Sequence, residues 1–325
     1  SGLNGLTLAV EQFNRAGGAN GRLVEILSKD DAQNKDTAAT SVHQLVAAKV
    51  DAVVGPFTSA MAAVTVPITG QAGIFQVSPT ITAMEFSGKD DNLFRINRTT
   101  RDNAGDYAKV MHGRGQKHIA VAYDLRNRAF TQSWLDEFRA AAKELGASLA
   151  AEVSYESSKD ANFEAVVAKM LQGKPDSLLF ISGALDVARL AQAARKLAPQ
   201  LPIAASEWAA TEQLIDLGGE VVEGLLIVQN YDRDDTSPRF KEFSEAYFKR
   251  FQRNPGYSSV STYDAATVVL TALKNRKPGE TVKAAALRSG PYQGLQQDIV
   301  FDANGDTARK VYFTEIREGR YRRID

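Results

Sequence analysis

Cysteine is missing altogether from the 325 residues. That excludes disulfides, thiol catalysis, cysteine-ligated zinc and iron–sulfur clusters, and it fits an exported bacterial protein that avoids accidental oxidation, though many cytosolic proteins lack cysteine too. Net charge is missing too: 39 basic residues balance 39 acidic ones, and the longest basic run is Arg320-Tyr321-Arg322-Arg323. Nucleic-acid binders normally carry a basic face, so that partner class is set aside and the terminal run reads as a solvated strand. Histidine is scarce. His43, His112 and His118 are scattered without the spacing of metal ligands. Asp302, Asn304 and Asp306 imitate the start of a calcium loop, but the twelfth position from Asp302 is Phe313, so a turn is expected there. No apolar run approaches the ~18 residues of a membrane span. No leader pattern opens the chain, so an exported protein would stand here in mature form. There is no G-x-S-x-G elbow, P-loop or G-x-G-x-x-G, and no nucleophile–base pair. An enzyme reading therefore has nothing to carry it, and no catalytic residue, metal or cofactor is expected.

What is present is an alternation of strands and helices. At 44% hydrophobic and 24% charged residues, the composition is that of a globular protein, and the length suits two lobes with separate cores. A helical stripe through Leu6, Leu8, Val10 and Phe13 ends at Gly17-Gly18. Strands are expected at 23–27, 52–54, 74–77, 118–123, 153–155, 177–181, 203–205 and 224–228. Helices are expected at 36–48 (capped by Asp36 or Thr37), 60–72, 102–112, 131–145, 163–171, 187–197 and 211–217. This order means βαβ units and parallel sheets, so two doubly wound α/β lobes in series. Three further helices, 238–251, 259–274 and 282–289, are expected to pack back on the first lobe, before final strands at 311–316 and 320–324 joined by a turn at Glu318-Gly319. A doubly wound lobe normally opens with a strand. This chain opens in a helix, so a strand and its loop are expected ahead of Ser1.

The most informative stretches are two strand ends rich in small hydroxyl residues. Val53-Val54-Gly55-Pro56-Phe57-Thr58-Ser59-Ala60 is followed about twenty residues later by Gln76-Val77-Ser78-Pro79-Thr80-Ile81-Thr82. The N–H groups that follow such ends are unpaired, and the hydroxyls add donors. Two of them side by side make a cradle for a small anion, most simply a carboxylate.

With these stretches, Gly5-Leu6-Thr7-Leu8-Ala9-Val10-Glu11, Ala16-Gly17-Gly18-Ala19-Asn20-Gly21-Arg22, Lys29-Asp30-Asp31-Ala32, Gly88-Lys89-Asp90-Asp91-Asn92-Leu93-Phe94-Arg95, Glu223-Gly224 and Tyr263-Asp264-Ala265 the chain resembles type I periplasmic binding proteins. The branch it is most similar to is the branched-chain amino-acid (Leu/Ile/Val-type) binding proteins of ABC importers. The likeness spans essentially the whole chain and departs from the family at the missing first strand. It implies a Venus-flytrap of two lobes on a three-stranded hinge, with crossings near Thr99-Thr100, Asn230-Tyr231 and Ala308-Arg309. Lobe one would then be 1–99 and 231–308, and lobe two 100–230 and 309–325. It further implies a periplasmic or extracytoplasmic, non-enzymatic protein. Such a protein captures a small amino acid or related carboxylate in the interlobe cleft and hands it to a membrane permease. A ligand-sensing receptor domain of the same shape is the alternative.

The resemblance also suggests roles for particular residues. Ser59 would meet the ligand's carboxylate. Ser78, Thr80 and Thr82 lie on the second loop, with Thr80 and Thr82 equal candidates for the closer contact. Glu207 would pair with the α-ammonium, since an unpaired buried charge costs several kcal/mol. Trp208 would stack on an apolar side chain or pack at the lobe edge. Phe130 falls near a position where relatives place a tyrosine, which makes that wall more apolar. Ala184 and Asp186 are weaker candidates, and Tyr231 would border the site. An inward Arg126 or Arg128 would indicate a second acidic group on the ligand.

Overall fold

The computed structural model describes residues 1–324. The chain folds into two compact units, one of Ser1–Thr99 with Tyr231–Lys310, the other of Thr100–Asn230 with the chain from Val311 onward. In chain order the first unit supplies α1 (Gly2–Arg15), α2 (Lys35–Ala47), β1 (Ala52–Val54), α3 (Ser59–Gln71), β2 (Phe75–Ser78) and β3 (Leu93–Arg95). The second contains α4 (Thr100–Gly113), β4 (His118–Asp124), α5 (Arg128–Glu144), β5 (Ser148–Tyr155), α6 (Phe163–Leu171), β6 (Ser177–Ile181), α7 (Ala184–Leu197), β7 (Ile203–Ala205), α8 (Glu212–Gly218) and β8 (Leu226–Gln229). The chain then returns to the first unit with α9 (Pro238–Phe251), α10 (Tyr257–Asn275), α11 (Val282–Ser289), β9 (Tyr292–Gln293) and β10 (Asp298–Ile299). It closes with β11 (Tyr312–Arg317) and β12 (Arg320–Arg323) in the second.

In the first unit β1, β2 and β3 form a parallel sheet in that order, with β1 at one edge. β2 is buried along its whole length. On one side Phe75, Val77 and Phe94 pack against Val268, Val269 and Ala272 of α10. The α2 cap is Asn34, not Asp36 or Thr37. Its backbone is extended while the residues after it are already helical, so its side-chain oxygen accepts the N–H groups of Asp36 and Thr37, each at 3.0 Å. The expected strand at 23–27 joins no sheet; the Asn14 side chain bonds both backbone groups of Val24 instead. Strand pattern alone does not make a strand; a neighbour must offer ladder bonds, and none of the described residues does so here. The turn at 302–306 is closed by Asp302, whose Oδ1 accepts the N–H groups of Asn304 and Asp306.

The second unit is a seven-stranded sheet in the order β12-β11-β8-β7-β6-β4-β5, parallel except for β11, which runs antiparallel to β8 and β12. Period-two alternation assigns the faces. Ala120, Ala122, Leu178 and Phe180 point toward Val167, Met170 and Leu190 of α6 and α7. Ile119, Val121, Leu179 and Ile181 point toward Tyr107, Met111, Trp134 and Phe138 of α4 and α5. Both faces are covered, as a parallel sheet requires.

β7 and β8 pair only at Ala204 and Leu226. Beyond that point they separate, and the Tyr107 hydroxyl bridges them. It donates to the Ala205 carbonyl at 2.7 Å and accepts the Val228 N–H at 2.8 Å. Tyr107→Phe strands both groups in a fully buried place, an expected loss of about 1–3 kcal/mol. Urea unfolding should show a lower midpoint at unchanged slope. An unchanged midpoint would mean that the bridge contributes nothing.

Candidate functional site

In the first unit, β1 and β2 end side by side, and α3 starts directly after the β1 loop. That loop is held from below. Gln76 donates Nε2–H to the Gly55 carbonyl at 2.8 Å, and Thr69 fixes the other end of the Gln76 amide at 2.6 Å. Two of the candidate hydroxyls are spent on joining the loops. Ser78 donates to the Pro56 carbonyl at 2.7 Å, and Thr80 donates to the Phe57 carbonyl at 2.5 Å. The Ser78 carbonyl accepts the Ile96 N–H, so Ser78 builds the rim from both ends of its residue. Thr82 is buried at its far side.

Ser59 is different. It is the first residue of α3 and only 1% exposed, and its hydroxyl has no partner. The helix start adds unsatisfied N–H groups and the positive end of the macrodipole. An orphaned buried hydroxyl at that point fits a carboxylate oxygen as its missing acceptor. Tyr231 opens the second segment of this unit. It is a core ring against Phe240, with the Arg233 guanidinium 5.1 Å from its centroid.

In the second unit the candidates gather at the carboxyl ends of β4, β6 and β7. Glu207 is 4% exposed. Its Oε1 accepts from Asn103 Nδ2 at 3.1 Å and its Oε2 from Trp134 Nε1 at 3.0 Å. Both donors are neutral, so they orient the charge without cancelling it. Trp208, the next residue, meets Phe130 edge to face at 5.8 Å between centroids and lies over Gly183. Ala184 is buried at the start of α7.

Asp186, two residues on, accepts from the Tyr155 hydroxyl at 2.8 Å, which also meets Ser182 Oγ at 2.6 Å. Burial, then the Asp186 charge, pushes the Tyr155 hydroxyl far up, so it stays protonated and acts as the donor. Asp124, at the end of β4, accepts the N–H groups of Arg126 and Ser157. Burial raises its carboxyl above the ordinary value, with Asp186 adding to the effect and the two amides opposing it. Arg126 and Arg128 are exposed. Among the described residues no cluster of three or more His, Asp or Glu could hold a metal ion.

Four side chains at this edge were not singled out from sequence. Asn103 and Trp134 carry no local signal because they reach Glu207 across 104 and 73 residues. Leu125, just after β4, and Leu185, in the first turn of α7, are 36% and 50% exposed. Both were visible in the sequence as apolar types but not as exposed ones.

Comparison with known proteins gives a consistent picture. The sequence model of the family described as periplasmic binding protein matches residues 1–320. The leucine-, isoleucine-, valine-, threonine- and alanine-binding protein of Pseudomonas aeruginosa is 23% identical over 309 residues, 93% of this chain and 81% of that protein. Among solved structures, a leucine binding protein from Thermotoga maritima superposes with a TM-score of 0.90 at 23% identity, covering 100% of this chain and 92% of the other. A branched-chain amino-acid transporter substrate-binding protein from Streptococcus pneumoniae, in complex with isoleucine, gives 0.88 at 23% identity, covering 98% and 92%. At such identities the structural likeness is one of fold.

Proposed function

Since the chain belongs to the periplasmic binding protein family, we propose that it is the extracytoplasmic solute-binding component of an ABC importer, and that its ligand is a small α-amino acid. The observation that carries this reading is Glu207, a buried carboxylate at the end of β7 whose two oxygens are oriented by Asn103 and Trp134. An α-ammonium group is a natural partner for such a carboxylate, and burial makes that pairing strong because water does not compete. The complementary pole is Ser59 at the start of α3, which suits the α-carboxylate. Trp208, Phe130, Leu125 and Leu185 favour an apolar side chain on the ligand. The permease and the periplasmic location follow from the family reading. The relatives described above bind leucine, isoleucine and similar amino acids, which agrees with it.

The test is isothermal calorimetry on protein stripped of carried-over ligand by unfolding and refolding. Apolar amino acids should bind one per chain, and the matching carboxylic acids without the amine should not. Equal binding of acids lacking the amine would overturn the role of Glu207. Ser59→Ala should weaken binding by about 2- to 10-fold, the worth of one hydrogen bond. Because its hydroxyl has no partner within the chain, the melting temperature of the free protein should stay put. A stability loss without an affinity loss would reduce Ser59 to a structural residue.

A further inference from the structure

The loop ahead of α2 reaches the N-cap of α3. Thr58 stands at that cap with an extended backbone and a side chain of the kind that caps helices, yet its hydroxyl accepts none of the helix N–H groups. Thr281, at the same place on α11, makes the cap that Thr58 does not: it accepts the Ala284 N–H at 3.1 Å. The Thr58 hydroxyl instead donates to Gln33 Oε1 at 2.9 Å. The Gln33 amide is held in that sense, because its Nε2 donates to Asp31 Oδ1 at 3.0 Å. The same Asp31 oxygen accepts the Gln33 backbone N–H at 2.8 Å, and Asp30 Oδ1 accepts the Ala32 N–H at 2.8 Å. Ala32 and Gln33 are both left-handed, at φ 51° and 52°. Two such residues in succession, neither of them glycine, are rare. Two aspartates brace this unusual backbone, and the brace aims one glutamine at one hydroxyl.

A capping hydroxyl and a bound carboxylate compete, since both are acceptors for the N–H groups of the first helical turn. Ser59, the residue after Thr58, is 1% exposed and its hydroxyl has no partner. That orphaned group marks this helix start as a place built for an acceptor from outside the chain. A Thr58 oxygen turned onto the helix would fill part of that place. Gln33 prevents the turn by claiming the Thr58 proton.

We propose that Gln33 is a positioning residue for ligand binding: it keeps the Thr58 hydroxyl off the start of α3 and so reserves that helix start for the ligand's carboxylate. This rests on the reading of Ser59 and α3 as the carboxylate pole. The test compares leucine with leucinol, which keeps the ammonium and the side chain but lacks the carboxylate, by calorimetry on the full chain. Gln33→Ala should weaken leucine by about three- to tenfold and leave leucinol within about twofold. The melting temperature of the ligand-free variant should stay level or rise, because the released hydroxyl can cap the helix. Adding Thr58→Val to Gln33→Ala removes the competing oxygen and should return leucine to within about twofold of the parent. A merely structural brace is not repaired by a second deletion. Three results would overturn the proposal: equal weakening of leucine and leucinol, no weakening of leucine, or a double variant that binds no better than Gln33→Ala. A parent that binds leucine no more tightly than leucinol would remove the carboxylate pole itself, and the proposal with it. That outcome is read before any substitution is made, so the two failures are told apart.

Discussion

Glu207→Gln is expected to abolish useful affinity for amino acids while leaving a folded protein. Removing one partner of a buried, hydrogen-bonded charge pair costs about 2–5 kcal/mol, roughly thirty- to several-thousand-fold in Kd. Glutamine keeps the shape, and its carbonyl can still accept from Asn103. Its NH2 then faces the Trp134 indole N–H, donor against donor. The variant therefore also loses some stability, which a thermal melt measures separately. Trp134→Phe is the companion variant: it keeps the charge but removes one of the bonds that aim it. Its affinity loss should be the smaller of the two. If calorimetry finds Glu207→Gln binding leucine or isoleucine as the parent does, the ammonium pole lies elsewhere and the amino-acid assignment fails with it.

Asp306→Ala is expected to be the most damaging substitution outside the ligand candidates themselves. Arg95 is 1% exposed, among the largest fully buried side chains of the protein. Its Nε and Nη2 both reach Asp306 Oδ1, at 3.0 and 2.6 Å, and its Nη1 donates to the Ala83 carbonyl. Asp306 also accepts from the Gly88 N–H and from Ser87. One carboxylate thus ties β3, the loop at 87–88 and the turn at 302–306 together. Alanine leaves a buried guanidinium without its counter-charge, a cost of about 3–5 kcal/mol, or roughly 6–20 °C in melting temperature for a unit of this size. The double variant Asp306→Ala with Arg95→Met should recover part of that loss, because the pair breaks more expensively than it is replaced. A single variant that melts within a degree or two of the parent would show the pair to be dispensable.

The architecture was largely legible because the strand and helix periods are strong. β6, Ser-Leu-Leu-Phe-Ile, is buried throughout, and its unbroken apolar run is what a central parallel strand demands. Errors arose where local pattern and neighbourhood disagree. Residues 23–27 have the strand pattern and lack a partner strand. β5 begins at Ser148, earlier than expected, because Ser148-Leu149-Ala150-Ala151 carries no β-branched residue, yet it pairs along β4. α7 begins at Ala184 and takes in Asp186, which had read as loop. At the candidate site, residue types at strand ends were readable one at a time. Their commitments were not. Ser78 and Thr80 give their protons to backbone carbonyls more than twenty residues away in sequence. Which hydroxyl stays unclaimed depends on how two loops meet, and no local pattern encodes that.

The bond between Trp134 and Glu207 has an optical consequence. The chain contains only two tryptophans. One donates its indole N–H to Glu207, and the other is residue 208, set edge-on to Phe130. All indole emission from this protein therefore originates within one small region of the second unit. Nothing distant dilutes the signal, so the intrinsic fluorescence of the unlabelled chain reports on the surroundings of a single carboxylate.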